Sequence, residues 1–251
     1  MDPEMLRGGP VLLLPARDRW TLGLYSDTRR ASQFTLDLRA EREPGSASHS
    51  LSLSPGVSAF VTDRLQVGII PQISRAREGW QYVAQPVDSA GRTHYLVGAL
   101  DQRTVSLTTR ATYAFSPHLT LQWYAQAFLG SGRYPGFAEV TAPRAARTAD
   151  RMAAVSASRL DRDPATRAYR LDAGTDSVVT FPDPAFSDRA LHLNLLLRWE
   201  FLPGSTLFLV WTQERSDQVA SRFRLGRDLR RLARAAPTDA LQLKVSYWLA
   251  P

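Results

Sequence analysis

Cysteine is absent from the 251 residues, which excludes a disulfide framework and any thiolate metal site. Lysine is almost absent as well: Lys244 is the only one, and arginine carries the formal net charge of +7. No stretch approaches the roughly 18 uncharged apolar residues of a spanning helix, so any membrane crossing has to be made by strands. Catalytic signatures are missing too. His49, His94, His118 and His192 stand alone, with no HExxH and no i, i+4 pair. There is no GxSxG elbow, no phosphate-binding GxxxxGK loop and no GxGxxG after a strand, and the acidic residues do not converge on a glycosidase-like pair. The expectation is a non-enzymatic chain without cofactor.

What is present narrows the class. Hydrophobic residues make up 44% of the chain, and the mean hydropathy of −0.24 lies above that of a disordered chain and below that of a bundle of membrane helices. The arginines are spread over many loops, with no basic helix or stacking aromatics to organise them, so nucleic acid is not an expected partner. Two readings of the arginine excess stay open: the habit of a GC-rich genome, or a surface that meets phosphate-bearing lipid heads and anionic ligands through bidentate donors.

The strongest positive signal is period two. Leu191, Leu193, Leu195, Leu197, Trp199 and Phe201 fall on one face of a strand, and His192, Asn194, Arg198 and Glu200 on the other. The same alternation runs through 119–129, 105–115 and 241–249, and further segments are 20–25, 34–39, 51–61 and 65–73; 206–212 is apolar on both faces. Several reach about ten residues, the length that crosses a bilayer at a tilt. Tight turns at 27–30, 62–64, 116–118 and 202–204 alternate with longer connections at 43–47, 77–92, 131–188 and 215–239, as outer-membrane barrels alternate short and long loops. This alternation requires 11–26 to be one strand interrupted at Pro15, and 93–115 one strand interrupted near Asp101.

The predicted fold is therefore all-β: an antiparallel transmembrane β-barrel portion over residues 1–251, with about nine strands and two long outer loops, 131–188 and 215–239. A short helix is expected around 149–160, and a small amphipathic one at the barrel mouth where Leu225, Leu229, Leu232 and Ala236 recur at helical spacing before Pro237. Barrels of this type usually have even strand numbers, so the odd count suggests the C-terminal part of a larger barrel. The first residues, MDPEMLRGGP, do not read as a secretory signal, which places any such signal upstream. With the apolar face toward lipid, Asp37, Arg39, Arg110, Arg198, Glu200 and Lys244 are the candidate lumen-facing charges, either tuning passage or pairing across strands.

Several segments carry a family resemblance: LRGGP at 6–10, LDQRT at 100–104, SPHLTLQWYAQAF at 116–128, SGRYPGF at 131–137, RWEFLPGSTLFLVWTQ at 198–213 and LKVSYWL at 243–249. Together they resemble the C-terminal outer-membrane barrel domain of uncharacterised bacterial proteins whose N-terminal region resembles carbohydrate-binding family 9. The resemblance implies the bacterial outer membrane, with outer-membrane lipid and the barrel-insertion machinery as partners. It also implies glycan binding through that N-terminal region, which is not within these residues. The end, YWLAP, differs from the common barrel terminus, whose last residue is aromatic, so Tyr247 and Trp248 are the candidate assembly signal, with Trp248 serving from three residues inside. The expected role is a pore, transport component or membrane anchor. A soluble β-sandwich binding module and an outer-membrane enzyme with its site in the long loops are the alternatives.

Overall fold

The computed structural model describes residues 5–174, 177–218 and 223–249. In chain order the strands begin with β1 (Asp18–Tyr25), β2 (Ser32–Arg42), β3 (His49–Thr62), β4 (Leu65–Ala84), β5 (Leu96–Ser116) and β6 (Leu119–Val140). Four short ones follow: β7 (Met152–Ala154), β8 (Leu160–Asp163), β9 (Ala168–Gly174) and β10 (Ser177–Pro182). The chain then returns to long strands, β11 (Phe186–Leu202), β12 (Ser205–Asp217) and β13 (Pro237–Ser246), with one helix, α1 (Leu225–Arg234), before the last. Nine strands hydrogen-bond in the order β1-β2-β3-β4-β5-β6-β11-β12-β13, every pair antiparallel. Among the described residues no pairing joins β1 to β13, and every residue of both strands is exposed.

The turns at one end are short and built by side chains. The Thr62 hydroxyl accepts from the amides of Arg64 and Leu65, and the Ser116 hydroxyl from those of His118 and Leu119, the same device twice. Gly204 turns the β11–β12 corner at a φ of 78°, with the Trp248 side chain against it, so a Cβ there would be both strained and crowded. At the other end the connections are longer, as the alternation predicts.

Pairing register turns the period-two pattern into rows. Leu22, Leu38, Leu53, Ile73, Val105 and Leu129 lie side by side across six strands. Leu65, Tyr113, Leu121, Leu197, Leu209 and Leu243 form a parallel row nearer the short turns. From Leu119 to Leu129 along β6, a rise of roughly 3.3 Å per residue and a tilt near 40° give a band about 25 Å tall.

Beyond that band the sheet continues in β4, β5 and β6, with register shifts at Glu78/Gln81, Tyr82/Ala84 and Ala99/Asp101. There both faces are covered. Leu96 and Phe137 pack with Leu171, Val179 and Phe181 of a three-stranded sheet formed by β8, β9 and β10. On the other side Val97 and Val140 pack with Leu6 and Leu12. The Arg151 guanidinium holds this second layer by donating to the carbonyls of Leu13, Ala145 and Ala146.

Three expectations are corrected. The segment 11–26 is not one strand: Leu12 is taken into the apolar cluster beside β5, and pairing starts only at Asp18. No α-helix forms at 149–160; short 3-10 turns at Thr148–Arg151 and Ala157–Arg159 flank β7, which pairs with β6. An isolated short helix is marginal in water, and the free edge of β6 offers backbone partners instead. The described residues of 131–188 are accordingly the ends of β6 and β11 with a folded cap between them, not a loop. The helix expected in 215–239 is present as α1, while residues 219–222 of that connection and the acidic start at 1–4 lie outside the described residues.

Candidate functional site

By register the six nominated charges lie on one face of the sheet, the face opposite the leucine rows. Asp37 is paired with Ser54 and Arg39 with Ser52. Arg110 sits between Gly68 and Tyr124, Arg198 between Thr120 and Phe208, Glu200 beside Thr206 and Lys244 beside Phe208. They are not gathered into one site. The Tyr25 hydroxyl donates to Asp37 at 2.6 Å, and the Arg110 guanidinium lies 5.4 Å from the centre of the Tyr124 ring. Arg198 donates to Glu200 at 3.3 Å, and the other Glu200 oxygen accepts from the Gly204 amide. Serine, threonine and glutamine are frequent on this face, among them Ser52, Ser54, Thr108, Thr120 and Gln122, together with Tyr124 and Phe208. Tyr247 and Trp248 are exposed near the short turns; the Tyr247 ring lies 6.4 Å from Phe201, and the Trp248 amide donates to Ser205.

A cavity of about 820 Å³ lies at the long-connection end. Among the described residues Arg75, Arg77, Arg103, Arg133, Arg162 and Arg167 line it, with Asp101 and Asp183 as the only acids, an excess of four positive charges. The backbone explains the cluster. One step beyond the leucine row, register sets Leu51, Arg75, Arg103, Ser131 and Ser187 side by side, and the next row is His49, Arg77, Asp101 and Arg133. The cap then adds Arg162 and Arg167, both paired with Asp183.

Two buried polar clusters escaped the sequence reading. His94 is 1% exposed, and its ring nitrogens meet Asp88 at 3.1 Å and Glu139 at 2.7 Å. The Asp88 carboxylate is held below its ordinary range, first by the Arg92 amide and then by His94. This cluster ties the 85–95 connection to the end of β6. No spacing could have revealed it, because Glu139 lies 45 residues from His94. Changing His94 to alanine is expected to cost about 2–4 kcal/mol, since two carboxylates lose their partner. Thermal melting, with faster tryptic cleavage at Arg92, checks it.

The second cluster centres on Arg189, also 1% exposed, whose guanidinium donates to Asp217 at 3.0 Å, Ser187 at 3.1 Å and Asp228 at 2.9 Å. Arg189 continues the row of Leu129, so α1 lies over the leucine side of the sheet at its upper edge. There Leu232 is buried and Leu225 and Leu229 are exposed. Among the described residues no group of three or more His, Asp or Glu side chains is placed to hold a metal ion.

One family model, described as a domain of unknown function (DUF5916), matches residues 7–250. No curated protein and no solved structure matches the chain.

Proposed function

We propose, for a chain that belongs to the DUF5916 family, that the nine-stranded sheet is part of the wall of a bacterial outer-membrane barrel without enzymatic activity. It serves as a pore, a transport component or the membrane anchor of a glycan-binding domain. The observation that carries this reading is inverted amphipathicity. In β3, Leu51 and Leu53 are exposed while Ser50, Ser52 and Ser54, which alternate with them, are half-buried. In a water-soluble sheet the polar residues would hold the exposed positions. The apolar band has the height of a hydrocarbon core, and its lower margin carries exposed aromatic rings, Phe115, Trp199, Tyr247 and Trp248, in the manner of an interfacial girdle.

A soluble two-sheet sandwich would need a second sheet over the leucine rows. The three-stranded sheet packs instead on the extension of β5 and β6 beyond the band, and Leu22, Leu53, Ile73, Tyr113 and Leu243 of the leucine rows are exposed. Residues such as Asp37, Arg110 and Lys244 then line the water-filled side, where mixed charge is tolerated. The test is extraction of the full chain from bacterial envelopes. Resistance to alkaline carbonate and heat-modifiable migration on a denaturing gel are expected; recovery in the soluble fraction without detergent overturns the reading.

A further inference from the structure

The arginine-lined cavity has a feature that folding alone does not explain. Arg75 and Arg103 are directly opposite each other on β4 and β5. Like charges in that position are destabilising, and among the described residues no carboxylate lies within ion-pair distance of either. Arg77 next to them keeps a buried Nε–H without a hydrogen-bond partner. Both carboxylates of the cavity are already engaged, Asp101 by Arg77 and Arg133, and Asp183 by Arg162 and Arg167. Arg75 and Arg103 are both exposed, so an anion could reach the pair and relieve its repulsion, and planar guanidinium pairs match the oxygens of a phosphate better than those of any neutral ligand.

Position identifies where that phosphate comes from. The Arg75–Arg103 row is one alternation step, about 7 Å of strand, beyond the row of Leu53, Ile73, Val105 and Leu129, and on the same face. That is the depth at which lipid headgroups begin. Phe223 lines the same cavity, and α1, over the leucine side, presents exposed Leu225 and Leu229. We infer that the cavity is a binding site for the phosphate groups of an anionic lipid headgroup, with Arg75 and Arg103 as the primary ligands and Arg77 and Arg133 beside them. This rests on the membrane reading above.

The test uses the full chain refolded into phosphatidylcholine vesicles. Three probes are compared: a bis-phosphorylated glucosamine glycolipid, the same glycolipid without phosphates, and inorganic phosphate. Wild-type protein is expected to retain the phosphorylated lipid at least tenfold better than its phosphate-free form. Arg75→Gln/Arg103→Gln should abolish that difference, whereas Arg64→Gln at the opposite end should keep it. Because the double variant removes a like-charge pair, it should insert as well as wild type and unfold no more easily in lipid without phosphate, which separates ligand loss from misfolding. Equal retention of the two glycolipids, or an unaffected double variant, in protein that has inserted overturns the inference and leaves the membrane reading standing. Inorganic phosphate binding as tightly as the lipid overturns the lipid source. Failure of wild type to insert overturns the membrane reading and this inference together.

Discussion

Placing an arginine at Ile69 should cost about 2–4 kcal/mol of stability in a bilayer, while the same change at Ile70 should cost less than about 0.5 kcal/mol. The two positions are neighbours on β4 with identical exposure, 41% each. They differ only in face. Ile69 lies midway along the apolar band, in a row with Phe34, Val57, Thr109 and Ala125. Ile70 is paired with Thr108 on the opposite face, near Gly68 and Arg110. For a sheet in water, equal exposure means equal tolerance. Only a solvent that differs between the two faces separates the pair, because a guanidinium at mid-band has no water to solvate it. Urea titration of each variant refolded in vesicles measures the difference directly, and two equally mild variants would refute a lipid-facing leucine side.

Replacing Arg189 by methionine should lower stability by about 3–5 kcal/mol and release α1, because a buried carboxylate, Asp228, loses its buried counter-ion and keeps only the partly exposed Arg227. Changing Arg189 to Met together with Asp217 and Asp228 to Leu should recover part of that loss, since no buried charge is then left unpaired; Arg227 and Arg231, which lose their carboxylates, are partly exposed, while the Arg224 amide loses its acceptor. Acid should act in the same direction. Burial raises the Asp228 pKa, but the Arg224 amide and the Arg189 guanidinium outweigh it, so the carboxylate titrates below its ordinary range. A lowered native pKa means that the stabilisation is complete above the unfolded value near 4 and fades as pH falls below it. Hydrogen exchange of the α1 amides, corrected for the intrinsic rate and followed against pH, should accelerate below about pH 4 in wild type and show no such step in the triple variant.

The sequence made the strands and their faces legible wherever one side was apolar and the other polar. All nine main-sheet strands were found, and the six nominated charges do share a face, because parity along a regular strand is a local property. Legibility ends where β4, β5 and β6 leave the band. There Leu96 and Val97, on successive positions, are both buried by different partners, so alternation disappears although the strand continues. Residues 131–188 looked like a loop for the same reason. The arginine cavity was invisible because its side chains come from separate strands and the cap. Arg75 and Arg103 are 28 residues apart in sequence and neighbours only through register.

The two uncovered borders of the sheet carry a directional constraint. With nine strands each antiparallel to the next, β1 and β13 point the same way. A ring closed by joining them directly would contain a single parallel seam, whose slanted hydrogen bonds are slightly weaker than those of every other junction in the wall. A ring antiparallel throughout instead needs an odd number of further strands between the two borders. Hydrogen exchange tells these apart: a seam of parallel pairing would be the first place along the circumference to open, whereas in a fully antiparallel ring the amides of β1 and β13 would be as protected as those of their neighbours.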